Sequence, residues 1–208
     1  MNALTLTLLP PLVGGLALAV LRPLGLAGWF NLAVSGLTLC SALVLAWSVA
    51  AQGVVTATIA GMAFRVDAFN VYLVVLTAFV GVTTSIFSRP YMRHVCASGR
   101  LSSASLRVYH SMYQAFMLTM LLALTTDNLG VLWVAVEGAT LATVLLVSLY
   151  RTPEAVEAAW KYFILCGVGI ALALFGTVLT YFAAQHVLCV AGAGVRWCAR
   201  YERAQEVI

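Results

Sequence analysis

Residues 136–166 read VEGATLATVLLVSLYRTPEAVEAAWKYFILC, and they hold two groups that can carry charge inside a membrane. Glu137 is the ninth residue of the apolar run LGVLWVAVEGATLATVLLVSLY (129–150). At about 1.5 Å per residue it lies about 15 Å beyond Asp127, near the middle of a bilayer. A charged carboxylate at that depth costs several kcal/mol unless it is paired, hydrated or protonated. Two uses are open to it. It is either a neutral acid hydrogen-bonded to a neighbouring helix as packing glue, or a carboxyl group that takes up and releases a proton. Thr140 and Ser148 fall on roughly the same helical face and extend it into a polar stripe.

Lys161, the single lysine of the chain, opens the next apolar run. Thr152 has the place of an N-cap and Pro153 that of a first helical residue. Glu154, Glu157 and Lys161 then share one face, and Glu157 four residues before Lys161 is the favourable order for a helix ion pair. Lys161 therefore either snorkels to the interface and pairs with Glu157, or couples to Glu137 across the short turn at Arg151-Thr152. From that turn Glu137 is about 20 Å deep and Lys161 about 12 Å deep. Helix axes pack about 8–10 Å apart, so facing side chains would meet directly or through one water. An acid and a lysine so coupled lower each other's cost of charging, which suits ion translocation.

The elements that would position them are membrane helices. The chain of 208 residues is 63% hydrophobic and 9% charged, far too little charge for a soluble domain of this size. Its net charge of +4 comes without a basic patch interleaved with aromatics, so nucleic acid is not an expected partner, whereas the lipid bilayer is. Six spans are expected, at about 4–21, 28–50, 68–87, 109–126, 129–150 and 153–184. Pro10-Pro11 predicts a kink or late start in the first, which lacks a basic n-region and is read as a retained span. Residues 1–52 thus hold two spans, 53–67 an external β-hairpin broken at Ala60-Gly61, 68–184 four more spans, and 185–208 a polar, interfacial tail. Asp67 is placed to cap the third helix.

The loops after spans one, three and five hold Arg22, Arg89, Arg93, Arg100, Arg107 and Arg151, which puts the N-terminus on the periplasmic or outer side. His94 and His110 flank the basic loop and are expected at the interface. Trp29, Trp133, Tyr150 and Tyr181 fit an aromatic belt. Of the five cysteines, Cys40 and Cys166 read as small core residues. No pattern for zinc, haem, an iron–sulfur cluster or a nucleotide cofactor occurs, so neither a cofactor nor a metal site nor a catalytic centre is expected.

The run from YHSMYQAF to LTYFAA (109–184), carrying LWVAVE, LYRTPEAVEAAWKYF and GVGIALALFG, resembles one family, and VDAFNVYLVVLTAFVGVTTSIFSRPYM (66–92) also fits. It is similar to the antiporter-like membrane subunits shared by respiratory complex I, Mrp-type cation/proton antiporters and group 4 hydrogenases, and closest to the hydrogenase-4 component F type. The resemblance implies an all-α integral membrane bundle of about fourteen helices built on inverted repeats, of which this chain carries the first six and the hairpin. It implies translocation of protons or cations in a complex such as a hydrogenase or an NADH–quinone oxidoreductase. Other membrane subunits and a peripheral redox arm are the implied partners, and the inner (plasma) membrane is the implied location. On the matching motifs Glu137 and Lys161 become the translocation residues, with Glu157 and Thr140 as modulators. The family continues into further lysine-bearing helices, so a fragment or a truncated product is expected here. The alternative is a non-translocating structural or assembly subunit.

Overall fold

Polar caps set where most of the helices start. The computed structural model describes residues 3–20, 24–59, 61–99 and 101–190, without the side chains of 24–26, 103 and 184–190. Helix α1 (Ala3–Val20) contains Pro10 and Pro11, both buried, and begins well before them. Helix α2 (Leu24–Gln52) leads into strands β1 (Val55–Ile59) and β2 (Met62–Val66). These pair antiparallel from Val55–Val66 to Ile59–Met62, and Gly61 takes the positive φ of +79° at the turn. Asp67 then caps α3 (Ala68–Ala97), accepting from the Asn70 amide at 2.8 Å. Ser102 caps α4 (Ser103–Thr125) through the Ser105 amide at 3.2 Å. Asn128 caps α5 (Leu129–Val147) through the Gly130 and Val131 amides at 2.8 and 3.3 Å. A 3₁₀ turn, Ser148–Tyr150, ends at Arg151 in the left-handed region (φ 52°). Thr152 accepts from the Ala155 amide at 3.2 Å to start α6 (Pro153–Val190).

This is a mostly helical, multi-pass membrane protein with a small hairpin. Among the described residues, five helices are long and apolar enough to cross a bilayer: α1, α2, α3, α5 and α6. Helix α4, expected as an equivalent span, falls short on composition because so much of its buried stripe is polar. His110, Ser111, Tyr113, Gln114 and Thr125 face other helices rather than lipid. A second departure concerns residues 88–110, expected as a long polar loop. Helix α3 runs through Pro90 to Ala97, and only a short connection separates it from α4. Met92 and Val95 pack there with Leu101, Leu106 and Leu149 in a small core of their own, which extends the helix beyond its apolar run. A third departure is the tail, whose first residues belong to α6; Arg196, Arg200 and Arg203 lie outside the described residues.

The chain divides into two units, residues 1–167 and 168–208. In the first, α4 packs along α1, α3 and α5, and α2 along α1 and α3. The buried stripe of α2 changes character along its length. Asn31, Ser35 and Thr38 occupy its first half and Ala42, Leu45 and Val49 its second. The apolar half joins Leu4, Val74, Leu121 and the hairpin residues Ala57, Phe64 and Val66 in the main core. The polar half is closed by side-chain hydrogen bonds. Gln114 Nε2 donates to Asn31 Oδ1 at 2.8 Å and to Ser35 Oγ at 3.1 Å, and the Ser35 and Ser85 hydroxyls share a bond of 3.0 Å. Ser111 donates to the Gly15 carbonyl at 2.9 Å and Tyr113 to the Gly81 carbonyl at 2.6 Å. The second unit, described as far as Val190, is the remainder of α6; Thr177 and Thr180 donate to the carbonyls one turn back, each at 2.8 Å.

The hairpin is fastened to the bundle twice. Phe64 is 2% exposed in the main core, and the Asp127 amide donates to the Ala63 carbonyl at 3.1 Å. Deleting that ring costs the burial of an aromatic plus a cavity, about 3–5 kcal/mol. Phe64→Ala is expected to lower the melting temperature in detergent and to open residues 55–66 to limited proteolysis. An unchanged cleavage pattern would show that the backbone contact alone holds the hairpin.

Candidate functional site

Small residues let α5 approach α4 closely. Ala135, Ala139 and Ala142 recur at helical spacing and are buried. Beside them Gly138 has no side chain, and a Cβ there would sit 3.0 Å from Thr119 Cγ2. Thr119 is held in that rotamer by donating to the Phe116 carbonyl at 2.9 Å. This contact fixes which way α5 turns its other faces.

Glu137 adjoins the close contact in sequence but points to a different side, about 100° round the helix from Gly138. It is half-buried, and its carboxyl group has no hydrogen bond or ion pair among the described residues. Thr140, one turn on, is buried and donates to the Val136 carbonyl at 3.1 Å. Ser148 likewise donates to the Leu145 carbonyl at 3.2 Å. The polar stripe expected on α5 therefore exists, but its hydroxyls are satisfied by their own helix and leave the acid unpartnered.

Lys161 pairs with Glu157, Nζ to Oε1 at 2.5 Å, with the two side chains 70% and 65% exposed. No direct bond joins Lys161 to Glu137 among the described residues. The next residue, Tyr162, brings the first turns of α6 toward α5, where its hydroxyl meets Thr143 as well as Cys166 on its own helix. Lys161 lies about 100° from that contact. Glu157 and Lys161 thus form one unit, Glu137 and Thr140 another, on neighbouring helices.

Several expectations need correction. Cys40 is exposed and Cys166 half-exposed, so neither is a core residue. His94 is exposed at the end of α3, as an interfacial residue would be, but His110 is 3% exposed within the bundle. The reading of the residues also missed the polar seam of Asn31, Ser35, Ser85 and Gln114. Its signal was present: Asn31, Ser35 and Thr38 at intervals of four and three, and His110 four residues before Gln114. At the basic end Arg89 stacks over the Trp29 ring, 3.4 Å from its centroid.

No family model matches the chain. It is 43% identical over 194 residues to the hydrogenase-4 component F homolog of Methylacidiphilum infernorum (isolate V4), a match that takes in 93% of this chain and 39% of that protein. The chain thus spans well under half the length of that curated relative. Among solved structures it is similar to a chain of the membrane-bound sulfane sulfur reductase (MBS), an archaeal respiratory membrane complex. That likeness has a TM-score of 0.68 at 20% identity and covers 86% of this chain and 37% of the other. At that identity it establishes the fold.

The close approach at Gly138 is testable. Gly138→Val is expected to destabilise the bundle by about 1–3 kcal/mol, the usual cost of overpacking. Thr119→Ser, which removes the opposing methyl and keeps the hydroxyl, should recover part of that loss in thermal unfolding. Additive effects of the two substitutions would contradict the contact.

Proposed function

We propose, starting from the chain's homology to hydrogenase-4 component F over 93% of its length, that it forms a proton- or cation-translocating part of a respiratory membrane complex. In this reading Glu137 is the intramembrane proton and charge site, Lys161 its coupled partner, and Glu157 and Thr140 their modulators. The observation that carries the reading is the half-buried, unpartnered carboxyl group of Glu137 in the body of a membrane-span helix. Such a group is neutral while it holds a proton and needs a counter-charge when it releases one. Lys161, on the next helix, is the cation that would supply it, and its present partner is a partly solvated carboxylate on the same helix. Exposed pairs of this kind are weak, typically below about 1 kcal/mol, so exchanging Glu157 for Glu137 costs little. Movement of a proton onto Glu137 would send Lys161 back to Glu157. Other membrane subunits and a redox arm would supply the driving reaction. The Arg residues at the α3–α4 and α5–α6 connections support an orientation with the N-terminus outside.

A structural or assembly role is the second reading, favoured by the absence of a direct Glu137–Lys161 contact. One substitution separates the two. In the full-length protein assembled with its partners in vesicles, Glu137→Gln is expected to abolish coupled ion movement, followed with a pH-sensitive dye. Co-purification of the complex should be unchanged. Wild-type translocation by that variant would leave only the structural role standing.

A further inference from the structure

The polar seam joins the inner faces of α2 and α3, and their outer faces leave a groove open to lipid. Asn31 and Ser35 meet Ser85 across the seam, which fixes the register of the two helices. One turn nearer the basic end Gly28 admits Arg89; a Cβ there would sit 3.3 Å from Arg89 Cγ. The guanidinium then lies over the Trp29 ring, 3.4 Å from its centroid. Intervals of seven residues keep to one helical face, drifting only about 20° each time. Trp29, Gly36 and Leu43 follow that spacing on α2, and Phe79, Ile86 and Arg93 follow it on α3. The α3 strip lies about 40–80° round from Arg89, on the lipid side of its contact with Trp29. Trp29, Leu43, Phe79 and Ile86 are each about half exposed, and Arg93 is exposed. A Cβ on Gly36 would meet nothing within 4 Å, so the α2 strip has a recess between its two large residues.

The groove therefore has a cationic end and an apolar body. Arg89 and Arg93 are one turn apart, with Cβ atoms about 5–6 Å from each other. Neither forms an ion pair or a side-chain hydrogen bond among the described residues. The described lengths of α1 and α2 carry no charged residue, α4 adds Arg107, and Asp67 caps the far end of α3. Glu154 and Glu157 belong to α6, where Glu157 is paired with Lys161. An arginine at the edge of the hydrocarbon needs a counter-charge. Stacking on an indole engages the face of the guanidinium and leaves its in-plane N–H donors for a second partner. Phosphate is an anion that matches that fork. The apolar body runs about 21 Å from Trp29 to Leu43, longer than one leaflet, about 15 Å deep. The partner that fits has a phosphate at one end and a long hydrocarbon chain at the other.

We propose that the outer groove of α2 and α3 binds one anionic phospholipid of the basic-side leaflet. Arg89 donates in plane to a phosphate oxygen while its face rests on Trp29, and Arg93 takes a second oxygen. One acyl chain lies between the two strips and fills the recess at Gly36. A zwitterionic headgroup would bring its own cation against the two guanidiniums, so the site selects for net negative charge. The lipid fastens α2 to α3 from outside as the seam does from inside. It does not depend on whether Glu137 moves protons.

Native mass spectrometry of the full chain, released from nanodiscs holding equal amounts of phosphatidylglycerol and phosphatidylcholine, tests this directly. One phosphatidylglycerol is expected to stay with the protein in preference to phosphatidylcholine. Arg89→Gln should lower that retention several-fold. Arg93→Gln, at an exposed position that leaves the Trp29 stack intact, should do the same and decides the matter should the first variant fail to fold. Arg151→Gln, at the α5–α6 turn, should leave retention unchanged. Equal retention of the two lipids would overturn the proposal, and so would retention that neither Arg89→Gln nor Arg93→Gln alters or that Arg151→Gln lowers as much. Loss of the lipid when the chain is assembled with its partner subunits would assign the groove to a protein neighbour and overturn it too.

Discussion

In hydrocarbon a polar group has no water to fall back on, so each one must find its partner inside the protein. The side-chain amide of Gln114 is where this constraint acts most strongly. It sits 1% exposed on α4, the helix that packs against α1, α2, α3 and α5, and it engages Asn31 and Ser35 on α2. Through Ser35 and Ser85 the same network reaches α3. An interhelical hydrogen bond of this kind contributes about 0.6 kcal/mol on average and up to about 2. Several together fix a register that apolar packing alone, against lipid that is equally apolar, would leave loose.

The hairpin-side half is organised differently. There the stripe of α2 turns apolar, Phe64 and Val66 reach into the core from the strands, and Leu45, Val74 and Leu121 are fully buried. One bundle thus carries a polar, hydrogen-bonded half toward the arginine-rich connections and an apolar half under the hairpin. Glu137 belongs to neither. It stands on α5 about 100° round from the Gly138 contact with α4, and its carboxyl group has no partner among the described residues.

Much of this was legible in the residues. The caps Asp67 and Thr152, the hairpin between the second and third spans and the ion pair of Glu157 with Lys161 follow from local rules that need no knowledge of packing. The extension of α3 past Pro90 was not legible, because Met92 and Val95 earn their helix by meeting Leu106 and Leu149, far away in sequence. His110 misled for the same reason. A histidine beside a basic loop reads as interfacial until α1 and α3 are folded over it. Asn31 and Gln114 are ordinary as single residues, and their meaning appears only when the two stripes are set face to face.

The most direct test of this organisation is a double-mutant cycle between α2 and α4. Asn31→Leu, Gln114→Leu and the pair would be compared in reversible unfolding in mixed micelles. The structure predicts that the two positions couple by about 1 kcal/mol, the double variant losing less than the sum of the single losses. Additivity within about 0.3–0.5 kcal/mol would contradict it, and the polar half of the bundle would then have to be held by packing instead.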